Sequence, residues 1–531
     1  MRSLPFSWLI AALVISASAA ERPAPNIVFI LADYMGVGDV SALNPHSAWR
    51  TPHIDQIAKQ GLAFSDAHSS SAVCTPSRYA ILTGRYNWRS ARKSGVGDGL
   101  SPALIEPGRL TVPALLQQHG YATAMIGKWH LGLNWVRKDA ALAVASDDPS
   151  DGEASGAAAA TAAAAKAARI DYTKPFGGGP IAIGFQSFLG ISASLDMPPY
   201  AWLRDDHVES AQALHAIGGS KLPAMWRGGL AADGFAHVDV LPREAQEAMS
   251  YIAQQDAKKP FFLYLALTAP HTPIVPDHNF SGRTQTTAYG DFCAQVDDAV
   301  GQVLAALAAR HLDENTLVIF TADNGCSPSA DFPALEKFHH DPQAGRRGEK
   351  ADIYEGGHRI PFLVRWPGHV AAGRTSDESI YQGDLLATCA SLVDAKLPDS
   401  AGEDSVSLVP VLAGVKLAAP LHQALVHHSI NGSFAIRQGS WKLCLCPDSG
   451  GWSDPKPGKA PVGSPPFQLF DLAVDPAEKN NLYSAHPEIV RKLGVQLAQI
   501  ITSGRSTPGA RQPNSGRSTW PEIAWMSRFT P

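Results

Sequence analysis

Cysteine and charge are both scarce in this chain. Only six of its 531 residues are cysteines, and charged residues make up 18% of the sequence. So few cysteines in a chain of this length exclude a small scaffold held together by disulfide bonds. The net charge of −5, without a long basic run, argues against nucleic acid as the main partner. The length allows a large hydrophobic core and more than one domain.

Long apolar stretches are missing after the first twenty residues. Residues 1–20 combine a positive charge at Arg2, a short apolar run and a small-residue end, which is typical of a signal peptide. The apolar run is too short to span a bilayer comfortably, and a retained membrane anchor is the alternative. We therefore expect an exported protein, periplasmic or secreted, with no membrane span.

One cysteine has unusual neighbours. Cys74 lies in a polar stretch, followed by Pro76 and Arg78. Proline suits the first turn of a helix, so we expect a helix from Ser77 with Cys74 just outside its N-terminus. The backbone N–H groups at such an end favour negative charge and lower the pKa of a thiol, which makes it reactive. Half of a disulfide or a buried thiol is the alternative.

Two apolar runs end in side chains that carry oxygen. Residues 25–32 lead to Asp33, and residues 316–322 lead to Asp323 and Asn324. Both patterns predict buried parallel strands whose carboxyl ends bring these oxygens to one cavity. Such hard donors suit calcium, with magnesium possible, better than zinc. For either strand alone, the alternative is an aspartate that caps the next helix.

Three further segments place basic or imidazole side chains near predicted strand ends. Lys128 and His130 follow a strand predicted at residues 121–126, and their spacing favours side chains on one side. His271 stands between two prolines after another apolar run, and Lys350 precedes a glycine-rich loop. Taken alone, each of these side chains is more often an ordinary surface or loop residue.

The string that begins at Cys74 resembles the signature of formylglycine-dependent type I sulfatases, which belong to the alkaline phosphatase superfamily. It matches C-x-P-S-R and then L-T-G-R after three further residues. G-K-W-H-L-G around Lys128, P-H-x-P at His271 and E-G-G-x-R-x-P after Lys350 are similar to other motifs of that family. With F-D-L-x-x-D-P-x-E-x-x-N-L near the C-terminus, the resemblance covers about residues 24–510.

The resemblance implies a fold, a modification and a set of site residues. The fold is α/β and alkaline phosphatase-like, with a large, mostly parallel sheet flanked by helices and a smaller C-terminal antiparallel sheet plus helix. In the family, a maturation enzyme converts the cysteine to formylglycine (3-oxoalanine), whose hydrate is the nucleophile. The residues that the resemblance assigns to catalysis are Cys74, Arg78, Lys128, His130, His271, Asp323 and Lys350. Those assigned to the metal ion are Asp33, Cys74, Asp323 and Asn324.

The family pattern also implies individual roles. Arg78 and Lys128 support the hydrated aldehyde, and Asp323 serves as a base. Lys128, His271 and Lys350 hold the sulfate, and one of the last two protonates the leaving oxygen. His130 takes a proton from the second hydroxyl, so that the aldehyde re-forms.

One position departs from the family pattern. The family usually has two adjacent aspartates after the first strand, and the second is Tyr34 here. A phenol is a poor ligand for a hard cation, so we expect weaker metal binding or a water in its place. The departure leaves open a non-catalytic glycan-binding protein, and the shared fold leaves open a phosphodiesterase or phosphonate hydrolase. The favoured function is hydrolysis of the sulfate ester of a saccharide or another small molecule.

Composition suggests how the chain is divided. We expect a catalytic domain over residues 21–420 and a C-terminal subdomain and tail over residues 421–531. Residues 139–170 are rich in alanine and predict a surface insertion without a catalytic role. The segment with Ser192, Ser194 and Asp196 either forms a wall of the substrate pocket or packs in the core.

Overall fold

The computed structural model describes residues 24–138, 157–222 and 224–529. The predicted signal peptide, residues 1–20, lies outside the described residues, and so do residues 139–156 of the predicted insertion. The rest of that insertion contains the helix Ala157–Ala168, as the high helix propensity of alanine favours.

The described residues form eighteen strands, numbered here in chain order. They are β1 (Asn26–Ala32), β2 (Leu62–Phe64), β3 (Ala67–His68), β4 (Ala122–Lys128), β5 (Ser187–Ile191), β6 (Leu203–Arg204), β7 (His207–Val208), β8 (Leu214–Ile217), β9 (Gly229–Ala232), β10 (Phe261–Ala266), β11 (Thr316–Ala322), β12 (Phe362–Arg365), β13 (Arg374–Ser376), β14 (Ile380–Tyr381), β15 (Leu425–His428), β16 (Phe434–Gln438), β17 (Trp441–Cys444) and β18 (Gln468–Asp471).

Eleven α-helices occur in the same part of the chain. They are α1 (Pro52–Lys59), α2 (Cys74–Thr83), α3 (Val112–Gln118), α4 (Ala157–Ala168), α5 (Val240–Ala253), α6 (Ala288–Ala309), α7 (Phe332–Glu336), α8 (Glu355–His358), α9 (Leu385–Leu392), α10 (Val409–Leu412) and α11 (Pro487–Ser503). Short 3-10 turns complete the set, the longest of them at Pro521–Arg528.

A ten-stranded sheet forms the centre of the molecule, in the order β13-β2-β12-β11-β1-β10-β4-β5-β6-β7. Its middle strands, from β11 to β5, run parallel to one another. Antiparallel pairs extend it on both sides, at β12 and at β6 and β7. Every residue of β1, β10 and β11 is buried, as expected for parallel strands covered on both faces. The predicted α/β architecture around a large, mostly parallel sheet is confirmed.

Two groups of helices pack around this sheet. In one group α1 and α5 contact α6, and in the other α2, α3 and α9 contact one another. Among the described helices, α6 alone is long and apolar enough to cross a membrane, and 56% of its most apolar window is buried inside the molecule. Core helices of soluble proteins share this length and composition.

The last four strands form a separate antiparallel sheet in the order β15-β16-β17-β18, and α11 packs on β16 and β17. The predicted small C-terminal sheet with a closing helix is confirmed, although β15 was not foreseen because two histidines end its short apolar run. This sheet is tied to the rest of the molecule by main-chain hydrogen bonds. The N–H of Ala72 donates to the carbonyl of His428 at 2.9 Å, and that of Ile430 donates to Ala351 at 2.9 Å. The division at residue 420 stays a prediction.

Two local predictions near the candidate site are wrong. The helix begins at Cys74 and not at Ser77, because Pro76 is accommodated as its third residue, where a missing N–H leaves no hydrogen bond unmade. Strand β4 ends at Lys128, and His130 follows it with a φ of 57°. The side chains of Lys128 and His130 therefore do not share one face of a strand.

Glycine is required at one position in β4. Gly127 has a φ of +104°, and a Cβ there would collide with the carbonyl oxygen of Ala266 in β10. We expect Gly127→Ala to lower the free energy of unfolding by more than about 2 kcal/mol, through backbone strain plus overlap. Gly120→Ala is the matched control, since its φ is +84° but no atom lies within 4 Å of the added Cβ. Urea unfolding that shows equal losses for both variants would contradict the close approach of β4 and β10.

Candidate functional site

The two strand-end aspartates lie side by side. β1 and β11 are parallel neighbours, with Ala32 paired to Ala322, so Asp33 and Asp323 leave the sheet at the same edge. The N–H of Asp323 donates to the carbonyl of Ala32 at 3.1 Å, and neither aspartate is exposed. The expectation that these strands deliver their carboxylates to one place is met.

Arg78 joins the two carboxylates to the helix that begins at Cys74. Its Nε donates to Oδ2 of Asp323 at 3.0 Å, and one of its terminal nitrogens lies 3.8 Å from Oδ2 of Asp33. Another nitrogen donates to the carbonyl of Lys128 at 2.8 Å. Burial alone would lower the pKa of Arg78, but Asp323 and Asp33 outweigh it and raise the pKa. Arg78 stays charged and fixes α2 against three strand ends.

Cys74 stands one helical turn before Arg78, on the same face of α2. It is buried in a small apolar cluster with Ala193 and Met197, from the loop after β5, and with Ala351, next to Lys350. The N–H of Ala351 donates to the carbonyl of Ala72 at 2.8 Å, two residues before Cys74. Residue 74 therefore lies where α2, the loop after β5 and the Lys350 segment meet.

Lys128 extends the ion pairs around Asp33. Its Nζ donates to Oδ2 of Asp33 at 2.6 Å, and the lysine is fully buried. A lysine at this depth is stable in its charged form only with such a partner. Lys128, Arg78 and the two aspartates make one buried network of alternating charge.

His130 joins the site by a different route from the one predicted. Its ring Nε2 lies 2.7 Å from the carbonyl oxygen of Gly97, which accepts only, so Nε2 carries the hydrogen. The other ring nitrogen, Nδ1, is buried and has no hydrogen-bond partner. Burial lowers the pKa of His130 well below its ordinary value, and the charges of Lys128 and Arg78 act in the same direction. His130 is thus a neutral imidazole with a free lone pair.

His271 and Lys350 flank the ring of Tyr34. The rings of His271 and Tyr34 are 4.6 Å apart, and the Nζ of Lys350 lies 4.6 Å from the Tyr34 ring centroid. Nδ1 of His271 lies 2.8 Å from the carbonyl of Thr272, so Nδ1 carries the hydrogen and Nε2 the lone pair. Burial lowers the pKa of His271 well below its usual value, reinforced by Lys350 and Lys128.

The open side of the site is the side of His271 and Lys350. These two are the most exposed of the residues predicted for the site, at 6% and 5%. The others are 0–2% exposed. Solvent, and therefore a substrate, reaches the group from this side.

The oxygen atoms available to a metal ion lie at the ends of β1 and β11. Oδ1 of Asp33 and Oδ1 of Asn324 are buried without a hydrogen-bond partner. The amide nitrogen of Asn324 donates to the carbonyl of Gly325 at 2.9 Å, which leaves its oxygen free. Burial raises the pKa of Asp323, and neighbouring Asp33 adds to this against Arg78. Two unpaired hard oxygens, one from a carboxylate and one from an amide, beside the second carboxylate of Asp323 fit a calcium or magnesium ion.

Tyr34 takes a position that a metal ligand would not. Its φ is 52°, and its N–H donates to Oδ1 of Asp323 at 3.1 Å. Its ring turns towards His271 and Lys350. Burial raises the pKa of Tyr34 well above its ordinary value, so the phenol is neutral. The backbone of Tyr34 orients Asp323, while its side chain adds no charge to the metal site.

Two buried residues behind Arg78 were not predicted. Glu244 of α5 accepts from the N–H of Thr268 at 3.0 Å, and burial raises its pKa to about 8. Tyr264 of β10 is fully buried, with its pKa raised by burial despite the neighbouring Arg78. Neither residue belongs to a recognisable motif, because the sequence around each has the pattern of an ordinary buried helix or strand. Only the electrostatic influence of the buried Arg78 on both groups links them to the site.

A second group of histidines does not form a metal site. Ring nitrogens of His68, His358 and His427 lie within 4.8 Å of one another. However, the rings of His358 and His427 stack at 3.9 Å and 6°, and an ion lies in the plane of each ring that binds it. Lys442 also donates to Nε2 of His358 at 3.0 Å. Burial lowers the pKa of His68 to about 3, so this cluster is a neutral hydrogen-bond network.

The chain is similar to proteins of known activity. A profile of the family described as Sulfatase matches residues 25–395. An N-acetylgalactosamine-6-O-sulfatase of Bacteroides thetaiotaomicron is 30% identical in an alignment that covers 90% of this chain and 93% of that protein. Arylsulfatase A of Homo sapiens is 32% identical in an alignment that covers 98% of this chain and 96% of that protein.

A solved structure has the same architecture. It belongs to work on the metabolism of multiple glycosaminoglycans by Bacteroides thetaiotaomicron. The TM-score is 0.76 at 29% sequence identity, and the match covers 90% of this chain and 99% of that one.

Tyr34 offers a direct test of the metal site. We expect Tyr34→Asp to tighten calcium binding about tenfold, because a carboxylate adds charge beside Asp33. Tyr34→Phe is the matched control and should bind calcium as the parent does. Isothermal titration of the folded proteins measures both constants. Equal affinity in the parent and in Tyr34→Asp would show that a carboxylate at position 34 does not reach the ion.

Proposed function

This chain belongs to the sulfatase family and is a sulfuric ester hydrolase, and on that premise we propose that it releases sulfate from a sulfated saccharide. The single observation that carries the residue assignments is the position of Arg78. One turn after Cys74, it contacts both strand-end carboxylates and the end of β4. This position of Arg78 supports assigning the signature cysteine to the same site as the oxygen donors and the buried lysine.

The proposed reaction uses two groups that the twenty standard side chains do not provide: a modified cysteine as the nucleophile and a bound metal ion. We assign Cys74 as the residue that a maturation enzyme oxidises to formylglycine, whose hydrate provides the attacking hydroxyl. Asp33, Asp323 and Asn324 would hold a divalent ion, calcium by preference, which polarises the sulfate. The unpaired buried oxygens of Asp33 and Asn324 support this assignment.

The cations of the chain bind and orient the sulfate. Lys350 stands at the open side, and its ammonium donates hydrogen bonds to the nonbridging oxygens. Lys128 lies deeper, held at 2.6 Å from Asp33, and adds positive charge without moving. Charges that are already in place stabilise a developing negative charge without reorganisation during the reaction.

His130 and His271 have different proposed roles in proton transfer. His130 keeps its hydrogen on Nε2, against Gly97, and presents the lone pair of Nδ1. It is therefore placed to accept a proton from a hydroxyl at residue 74. His271 keeps its hydrogen on Nδ1 and presents Nε2 towards the open side, where it meets the leaving oxygen. Burial is the main cause of the low pKa of His271, and the charges of Lys350 and Lys128 add to it; a bound anion offsets the part that is due to these charges. Substrate binding thus promotes the protonated form of His271 that a general acid needs.

The saccharide assignment rests on relatives and on the polar lining of the site. The Bacteroides relative is named for sulfate on an amino sugar. A steryl-sulfatase of Mus musculus is 32% identical over 88% of this chain, so sterol and aryl esters are alternatives for the assay. The buried polar loop after β5 favours a hydroxylated substrate over a flat apolar one.

Sulfate release from a panel of esters tests this function. The parent, with formylglycine at residue 74 verified by peptide mass, should release sulfate from sulfated saccharides faster than phosphate from aryl phosphate diesters. Cys74→Ala should lower kcat by at least about a thousandfold, because the nucleophile is lost. Cys389→Ala, a buried cysteine of α9, is the matched control that keeps activity. Faster turnover of the phosphate diester by the modified protein would overturn the proposal.

We also propose that the protein is exported to the periplasm or secreted. The composition of residues 1–20, with a positive charge, a short apolar run and a small-residue end, supports this. In cell fractionation, the parent should leave the cytoplasm, and a variant without residues 2–15 should stay there. The N-terminus of the exported protein, determined by sequencing, should lie just after Ala19 or Ala20. A cytoplasmic parent protein that still begins at Met1 would refute export.

A further inference from the structure

The loop after β5 carries three buried oxygen atoms without a hydrogen bond. They are Oγ of Ser192, Oγ of Ser194 and Oδ1 of Asp196, and the three residues are 0–2% exposed. Buried polar atoms in proteins nearly always have partners. A carboxylate oxygen is the costliest of these to leave alone. Asp196 is therefore the strongest sign on this loop that something else binds here.

Asp196 lies at the open side of the site. Its Oδ1 is 3.7 Å from Nδ1 of His271, and the charges of Lys128 and Lys350 act on its carboxyl group. Met197, the next residue, packs in the same apolar cluster as Cys74. The loop is anchored at its start as well, because the carbonyl of Ser192 accepts from the N–H of His130 at 3.1 Å. It therefore forms one wall of the space in front of residue 74.

The surroundings of Asp196 hold it in place without using Oδ1. Its carbonyl accepts from the hydroxyl of Tyr200 at 2.7 Å and from the N–H of Arg227 at 3.0 Å. Its other carboxylate oxygen lies 3.6 Å from the guanidinium of Arg227. Because the backbone of Asp196 is fixed and its Oδ2 lies next to Arg227, Oδ1 is the atom that remains for the site.

The competing interpretation is that Asp196 orients His271. The geometry speaks against it, because the hydrogen on Nδ1 of His271 already goes to the carbonyl of Thr272 at 2.8 Å. At 3.7 Å, Asp196 is too far to share that hydrogen. An acceptor that is unpaired, fixed and beside His271 remains for the substrate.

We propose that Asp196 accepts a hydrogen bond from a hydroxyl or amide N–H of the substrate that lies beside the sulfate ester. The site then selects esters with a neighbouring donor, such as partly sulfated sugars, over esters without one. Sites built around a buried polar group reject analogues that leave the group unpaired. This inference rests on the proposed sulfatase function, since it concerns the alcohol part of the same substrate.

Two small esters isolate the interaction. Phenyl sulfate and 2-hydroxyphenyl sulfate differ by one hydroxyl next to the ester, and both release a phenol. The parent should show a kcat/KM about ten- to a hundredfold higher for the hydroxyl-bearing ester, the usual gain from a hydrogen bond to a charged group. Asp196→Ala should bring the ratio of the two kcat/KM values close to one. Asp196→Asn keeps an oxygen acceptor without the charge and should give an intermediate ratio.

A matched control and three outcomes complete the test. Asp206→Asn, at a half-exposed aspartate of the same region, should keep the parent's ratio. If the parent turns over both esters equally, or if Asp196→Ala lowers both in proportion, the inference on Asp196 is wrong while the sulfatase function stands. If the formylglycine-bearing parent turns over neither ester nor any sulfated saccharide, the proposed function fails and this inference falls with it.

Discussion

The site depends on the contacts that the guanidinium of Arg78 makes. It is almost fully buried, and it connects α2 to the ends of β1, β11 and β4 through Asp33, Asp323 and the carbonyl of Lys128. A charge at this depth is stable only when its partners are fixed, so the ion pairs and the strand ends define each other's position. Because Cys74 is one turn away on the same helix, the contacts of Arg78 also fix the position of residue 74.

The buried part of the site and the part that solvent reaches contain different kinds of residues. The cations Lys128 and Arg78 are paired with the carboxylates of Asp33 and Asp323 in the buried part of the site. His271 and Lys350 stand at the side that solvent reaches. Tyr34 lies between the two regions. Its N–H orients Asp323, and its ring packs between His271 and Lys350. The residue that departs from the family's pattern thus connects the strand-end carboxylates to the side of His271 and Lys350.

Much of the fold and of the site is predictable from local sequence. Apolar runs that stop at Asp33 and Asp323 specify buried parallel strands, and neighbouring parallel strands necessarily end at one edge. The place of His130 was not predictable in this way, because a positive φ at a non-glycine residue is set by tertiary contacts such as the one with Gly97. Glu244 was missed for a related reason. A lone carboxylate in an amphipathic helix has no signal until the packing shows what it faces.

In the proposed site, residue 74, one divalent ion and the cations of three distant segments surround a single tetrahedral anion. A crystal structure of the formylglycine-bearing protein with calcium and sulfate tests it most directly, with the ion identified by its anomalous scattering. The account predicts one ion bound by Oδ1 of Asp33 and Oδ1 of Asn324, with the sulfate next to residue 74 and contacted by His271 and Lys350. An ion bound elsewhere, or a sulfate that does not contact residue 74, would contradict it.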